Sequence, residues 1–304
     1  MPEQALERPG YRPASDNDRA QGFTVPGRNA RGRVVRLGPT LDAILSAHDY
    51  PEPVARQLAE ALLLAALIGT TLRPDEGQMT LQAQAKGGPV DLLVCDYVGG
   101  DLRGYLRADP ERIADLNNGS QLADIFGEGY LAITLDQTAT DERYQGIVPL
   151  EGDTMCHAAE NYFASSEQIP TLIRSAVRRD GDRWIAGGLL VQHLPTGEVG
   201  RERLFVQDNH PDWQHVAALA GSILPEELTD TDLALDDIVW RLFHEEEVRT
   251  TDPVPLARGC RCSTAYITQV LQRMSEDDRN HTRGEDGFAK VDCAFCSIDF
   301  RVAV

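Results

Sequence analysis

The chain has 304 residues, long enough for a core domain and a smaller satellite, and carries a formal net charge of −19. Such a polyanion is repelled by phosphate backbones and anionic lipid, which disfavours nucleic-acid and membrane-surface binding from the outset. The longest apolar run, Ala61 to Ile68, is far too short to span a bilayer and reads as part of a buried helix.

Residues 1–32 hold Pro, Gly, Arg and Asp without apolar periodicity and are expected to form a flexible leader. Glu3 and Glu7 argue against an organelle transit peptide, and no signal-peptide pattern is present. The expected location is therefore the cytoplasm, where reducing conditions leave thiols free for metal.

An α+β core domain is expected over residues 33–204. Val34, Val35 and Leu37 suggest its first strand. Ala55 to Leu72 is apolar on nearly every face, around Leu58, Leu62, Ala65 and Leu67, and should be a helix lying deep between layers. Met79, Leu81, Ala83 and Ala85 alternate as a half-buried strand. Val90–Val98 and Leu102–Arg107 pair across Gly99-Gly100-Asp101, and Asn118-Gly119 marks another turn. Tyr144–Val148 is a strand and Thr154–Phe163 a short helix. Thr171–Arg178 and Trp184–Leu194 then pair across Asp180-Gly181-Asp182.

A helical linker is expected over residues 205–255. Its second helix carries Leu235, Ile238, Val239, Leu242 and Phe243 on one face. Residues 225–248 hold nine Asp or Glu against one Arg, a net of −8. Such a helix covers a core, and its place beside the C-terminal module would let that module control its docking. Thr250 to Pro255, with prolines at 253 and 255, reads as an extended connector.

Residues 256–304 are expected to form a small zinc-binding module. Cys260-Arg-Cys262 and Cys293-Ala-Phe-Cys296 are separated by thirty residues, and neither pair can complete a tetrahedral site alone. Four thiolates suit a closed zinc site, with iron or an iron–sulfur cluster as the alternative. Ser263 caps a helix carrying Tyr266, Ile267, Val270, Leu271 and Met274 on one stripe. A polar run, Ser275 to Asp286, ends at Gly287. Alternation at Ala289, Val291 and Cys293, and again at Ile298, Phe300 and Val302, makes a β-hairpin with the second cysteine pair at its tip. A disulfide within Cys-x-Cys closes a small, strained ring of the kind that is labile or regulatory, so the spacing fits a structural clip or a redox switch.

Other constellations carry less. Cys95, among Leu92, Leu93 and Val94, reads as a buried inert thiol. Cys156 and His157 are helix neighbours whose side chains diverge, a poor nucleophile–base pair. His244-Glu-Glu-Glu247 lacks the second histidine of a metalloprotease helix, position 248 being Val, and Gly127-Glu-Gly129 lacks the third glycine of a dinucleotide fingerprint. His281 can offer a further ligand, but four cysteines already fill the site, and it should face water. No nucleophile–base–oxyanion set and no ATP loop can be assembled, so no enzyme activity is expected.

Several segments together resemble the 33-kDa heat-shock chaperone family, the redox-regulated, zinc-binding bacterial holdases. They are Gly259-Cys-Arg-Cys262-Ser and Cys293-Ala-Phe-Cys296, with Tyr144-Gln-Gly-Ile-Val-Pro-Leu-Glu-Gly-Asp-Thr154, Tyr162-Phe-Ala-Ser-Ser-Glu-Gln-Ile-Pro-Thr171, Ala186-Gly-Gly-Leu-Leu-Val-Gln192 and Arg241-Leu-Phe-His-Glu-Glu-Glu-Val248. The resemblance runs from about Arg33 to the C-terminus. It implies an ATP-independent stress-response chaperone that binds unfolding proteins after Cys260, Cys262, Cys293 and Cys296 release zinc and form disulfides. It further implies a monomer when reduced and a homodimer when oxidised. Two other classes share parts of the pattern. A zinc-ribbon nucleic-acid regulator needs a basic face that the net charge of −19 leaves little room for. A dithiol oxidoreductase using either cysteine pair would turn over a disulfide substrate repeatedly.

Overall fold

The computed structural model describes residues 17–72, 77–117, 119–137, 142–194, 209–284 and 287–303. Chain order is β1 (Arg19–Val25), β2 (Ala30–Leu37), α1 (Pro39–Leu45), α2 (Glu52–Gly69), β3 (Gly77–Gly87), β4 (Val90–Val98), β5 (Asp101–Ala108), α3 (Leu122–Phe126), β6 (Gly127–Gln137), β7 (Glu142–Pro149), α4 (Met155–Tyr162), β8 (Thr171–Asp180) and β9 (Arg183–His193). Then follow α5 (Pro211–Gly221), α6 (Pro225–Thr229), α7 (Leu235–Phe243), β10 (Arg249–Thr250), β11 (Val254–Pro255), β12 (Ala257–Arg258), α8 (Thr264–Arg273), α9 (Glu276–Thr282), β13 (Phe288–Asp292) and β14 (Asp299–Ala303).

Two sheets sandwich α2. The first runs β10-β1-β2-β9-β8, with β11 also on β1; the second runs β12-β5-β4-β3-β6-β7. The expected deep helix is buried along almost its whole length because both of its flanks meet a sheet. One glycine on each side lets it approach. A Cβ on Gly104 of β5 would lie 3.0 Å from both Leu58 and Leu62, and one on Gly188 of β9 would lie 3.0 Å from Leu63 and 2.9 Å from Leu67. Glu60, buried in α2, accepts from the Ser175 hydroxyl at 3.2 Å, and burial raises its pKa.

The first sheet is covered on its other face as well. There α5, α6 and α7 pack Trp213, Val216, Leu228, Ile238, Val239 and Phe243 onto Phe23, Val25, Val34, Leu189 and Val191. Coverage on both faces explains why β9 is a continuous rather than an alternating apolar run. The amphipathic helix is the third of this segment, because the short α6 precedes it. Its docking is also polar. Arg36, only 3% exposed, donates to the carbonyls of Leu228, Leu233 and Glu227 at 3.1, 2.7 and 3.4 Å. Arg28 pairs with Asp212 at 2.9 Å and Glu246 at 3.0 Å.

The leader expectation is corrected from Asn17 onward. Arg19–Val25 is a strand, paired with β2 and with the remote β10 and β11. Its RAQGFTV sequence lacks clean alternation, and partners more than 200 residues away supply the pairing. Residues 1–16, Asn118 and the 204/205 boundary lie outside the described residues. The extended connector is likewise stitched into the first sheet, through β10 and β11. The polar run after Ser275 is not wholly irregular: it forms α9, capped by Ser275, whose side chain accepts from the Asp278 amide.

Candidate metal centre

The chain reaches the cysteines through a tight anchor. Leu256 is fully buried, its amide bonded to Asp18 O and its carbonyl to Thr40 Oγ1. Strand β12 then adds to the edge of β5 in parallel, and Gly259 N donates to Leu102 O at 2.9 Å. A Cβ on Gly259 would lie 2.3 Å from that of Asp101, so the glycine permits this close approach. Cys260 and Cys262 follow at once. Ser263 caps α8 by accepting from the Tyr266 amide, as expected, which sets the positive end of the helix one residue beyond Cys262.

The second pair sits at the tip of the β13–β14 hairpin. Ser297 N and Cys296 N both donate to Cys293 O, at 2.7 and 3.1 Å, and Cys293 N donates to Ile298 O at 3.0 Å. Ser297 takes a left-handed φ of 53° to close this knuckle. Beneath it, Ile267, Leu271, Ala289 and Val302 form the module's own small core.

All four sulfurs lie within 4.8 Å of one another and can hold a metal ion. Cys260 Sγ is 3.2 Å from Cys262 and 3.6 Å from Cys293, and Cys262 is 3.4 Å from Cys296. Burial alone would raise Cys260, but hydrogen bonds from the Cys262 amide and from neighbouring thiols outweigh it and hold Cys260 below the usual thiol range. Burial and its hydrogen bonds with the neighbouring thiols push Cys262 up, and burial raises Cys296. Four sulfurs this close repel one another once they carry charge. A cation is what lets such a donor set deprotonate fully.

The other singled-out residues stand apart. Cys95 and Cys156 are buried, and burial pushes both thiols well up. His157 is exposed, as are His244 and His281; His281 Nδ1 lies 2.7 Å from Asp277 O on its own helix. Among the described residues, the four C-terminal cysteines are the one group of three or more ligating side chains close enough to share an ion. The residues that seat this centre on the core were not legible in the sequence. They are His48, Asp96, Arg103 and Tyr105, brought under the cysteines by sheet pairing over distances no spacing reveals.

A family model described as Hsp33 protein matches residues 18–303. The chain belongs to the Hsp33 family. The match begins some fifteen residues before Arg33, where the resemblance was placed, and takes in β1. The chain is 41% identical over 294 residues to the 33 kDa chaperonin of Caulobacter vibrioides strain NA1000 / CB15N, covering 94% of this chain and 95% of that one. It is 33% identical over 282 residues to the 33 kDa chaperonin of Yersinia pestis strain Pestoides F, covering 93% and 91%. The crystal structure of the Thermotoga maritima Hsp33 homologue superposes with a TM-score of 0.75 at 21% identity, covering 94% of this chain and 95% of that one, which supports the fold. A chaperone role follows from the family. The described residues include no helix long and apolar enough to cross a membrane.

Proposed function

We propose that this Hsp33 protein is an ATP-independent holdase whose client binding is gated by oxidation of Cys260, Cys262, Cys293 and Cys296 in a zinc site. The observation that carries the reading is the convergence of two cysteine pairs, thirty residues apart, within 4.8 Å. Tetrahedral zinc with bonds of about 2.3 Å sets neighbouring sulfurs about 3.8 Å apart. The observed 3.2–3.6 Å separations fit that cage with small outward shifts. When bound, zinc would hold the sulfurs as thiolates and supply most of the folding energy of a module whose own core is only a handful of side chains.

Oxidation removes the donor set. Two thiols and one peroxide give one disulfide and two waters, so two peroxides convert all four cysteines. Without its ion the module unfolds, and the linker behind it loses its C-terminal anchor. Undocking of α5–α7 would bare Phe23, Val25, Val34, Leu189 and Val191 on the first sheet. Clients would be unfolding proteins, the net charge of −19 would keep the complexes dispersed, and the oxidised chain would dimerise. The role is binding rather than catalysis, and its setting is the cytoplasm. The proposed division is a core, a helical linker ending near Pro255 and a metal module from Leu256.

The test is aggregation of a heat-unfolded test protein with reduced and with peroxide-treated chain, zinc release being followed alongside. Suppression confined to the oxidised, zinc-depleted chain is expected. Equal suppression in both states would remove the redox gate.

A further inference from the structure

Both cysteine motifs send an intervening residue to the same spot on the core. Arg261, between the first two thiols, donates to Gln78 Oε1 at 2.7 Å and to Asp96 Oδ2 at 2.9 Å. Asp96 is almost fully buried and already receives Arg103 at 2.6 Å and the Thr80 hydroxyl at 2.8 Å. Phe295, inside Cys293-Ala-Phe-Cys296, lies under the Arg103 guanidinium at 3.9 Å and edge-on to Tyr105 at 4.9 Å. Ser297 Oγ meets His48 Nδ1 at 3.1 Å on the next side of the knuckle.

We propose that Arg261 and Phe295 are positioning residues that clamp the thiol cluster to Asp96, Arg103 and Tyr105 of the second sheet and so set how readily oxidant opens it. The clamp rests on the redox-gated reading above and deepens its regulation. It can form only when both motifs are gathered together, because Arg261 belongs to one pair and Phe295 to the other. Its two halves meet at a single core side chain, Arg103, which binds Asp96 and stacks on Phe295. The other links between linker end and core are slight: β10, β11 and β12 have two residues each. The linker is therefore held at its C-terminal end chiefly by the buried Leu256 and this clamp. Docking also limits the motion by which an oxidised sulfur leaves the cluster and turns to a second one.

The full-length double variant Arg261→Ala/Phe295→Ala tests the clamp from the module side, and Arg103→Ala/Tyr105→Ala tests it from the core side with the module sequence intact. Three quantities are compared with the parent: bound zinc in the reduced protein, amide exchange at Gly259, which docking ties to Leu102, and the rate of zinc release by peroxide. Both variants are expected to keep one zinc per chain, while Gly259 exchange and peroxide-driven release each rise roughly tenfold, as loss of a partly desolvated charge pair and a cation–π contact implies. Parent-like exchange and release in the zinc-loaded core-side variant would overturn the clamp, whatever the module-side variant does. A parent that fails to suppress aggregation after peroxide would sink the redox-gated reading instead; the exchange comparison would still judge the clamp.

Discussion

Replacing Phe243 by Ala asks whether the linker is held on the core or merely lies over it. Phe243 ends α7, is fully buried, and has its ring centroid 5.4 Å from that of Phe23 on β1. Truncating a buried Phe costs about 3–5 kcal/mol. At about 1.4 kcal/mol per factor of ten, the undocked fraction should rise by roughly two to three and a half orders of magnitude. Phe243 belongs to the cluster over the first sheet, whereas the small core under the thiols is built from other residues, so zinc should stay bound. The reduced, zinc-loaded variant is expected to show fast amide exchange through α7 and to suppress aggregation of a test protein without peroxide. Fast exchange with intact zinc and no suppression would refute the idea that the linker hides the client surface. Unchanged exchange would mean that the rest of the cluster holds α7 without this ring.

Zinc assayed after Cys293→Ser should fall from one per chain to well below half, whereas Cys95→Ser, whose thiol lies in the core and outside the cluster, should leave it unchanged; equal retention in both would dissolve the four-thiolate site. Peptide mapping after oxidation should find Cys260–Cys262 and Cys293–Cys296, since sequence neighbours meet most often once the module unfolds, and predominant Cys262–Cys293 cross-links would contradict this. His193 is buried where β9 meets α5, facing His210 and Trp213, and burial followed by the neighbouring His210 holds its pKa below the ordinary value. The folded state thus favours the neutral ring: the stability it lends is complete above the unfolded value of about 6.5 and drains away as pH falls from there through the depressed folded value. The opening equilibrium of α5, taken as amide exchange divided by the intrinsic rate at each pH, should accordingly rise as pH falls from about 7.5 to 5.5, and a His193→Gln variant should lose that dependence.

What could be read from the sequence was local. Hairpins β4–β5 and β8–β9 announce themselves by apolar strands around Gly99-Gly100 and Gly181, whose positive φ the turns require. The four cysteines announce their site by spacing, and Ser263 marks the start of α8. The expected α+β class, with a helical segment and a small C-terminal cysteine module, matches the observed architecture. What escaped was non-local. Strand β1 exists because β2, β10 and β11 flank it, and β6 begins with a Gly-Glu-Gly that looks like a turn. Helix α9 had a readable signal: Ser275 followed by three acidic residues is a capped helix start, and its lack of apolar residues hid it. Arg36 is the plainest case. An arginine in an apolar strand reads as a solvated position, yet it is buried beneath the linker because two carbonyls at the end of α6 and one in the loop after it need donors there.

That arginine bears on why the linker's attachment is suited to release. Residues 225–248 carry a net −8, and the core meets them with Arg28, Arg36 and Arg178. Of these, Arg36 and Arg178 bind carbonyls rather than carboxylates, leaving most of the linker's charge facing solvent. Solvated like charges repel one another across a docked surface and gain freedom when it opens, so the apolar cluster must hold the linker against its own charge. Docking of that kind falls steeply once one end is freed, because the chain entropy of a segment tethered at one end is no longer constrained. Lowering the ionic strength should sharpen the effect, since like-charge repulsion is then less screened. Linker exchange in the reduced protein should therefore slow as salt is added from about 0.01 to 0.15 M, over which the screening length falls from about 30 to 8 Å. Acceleration by salt would mean that the ion pairs of Arg28 dominate and that the acidic face contributes nothing to release.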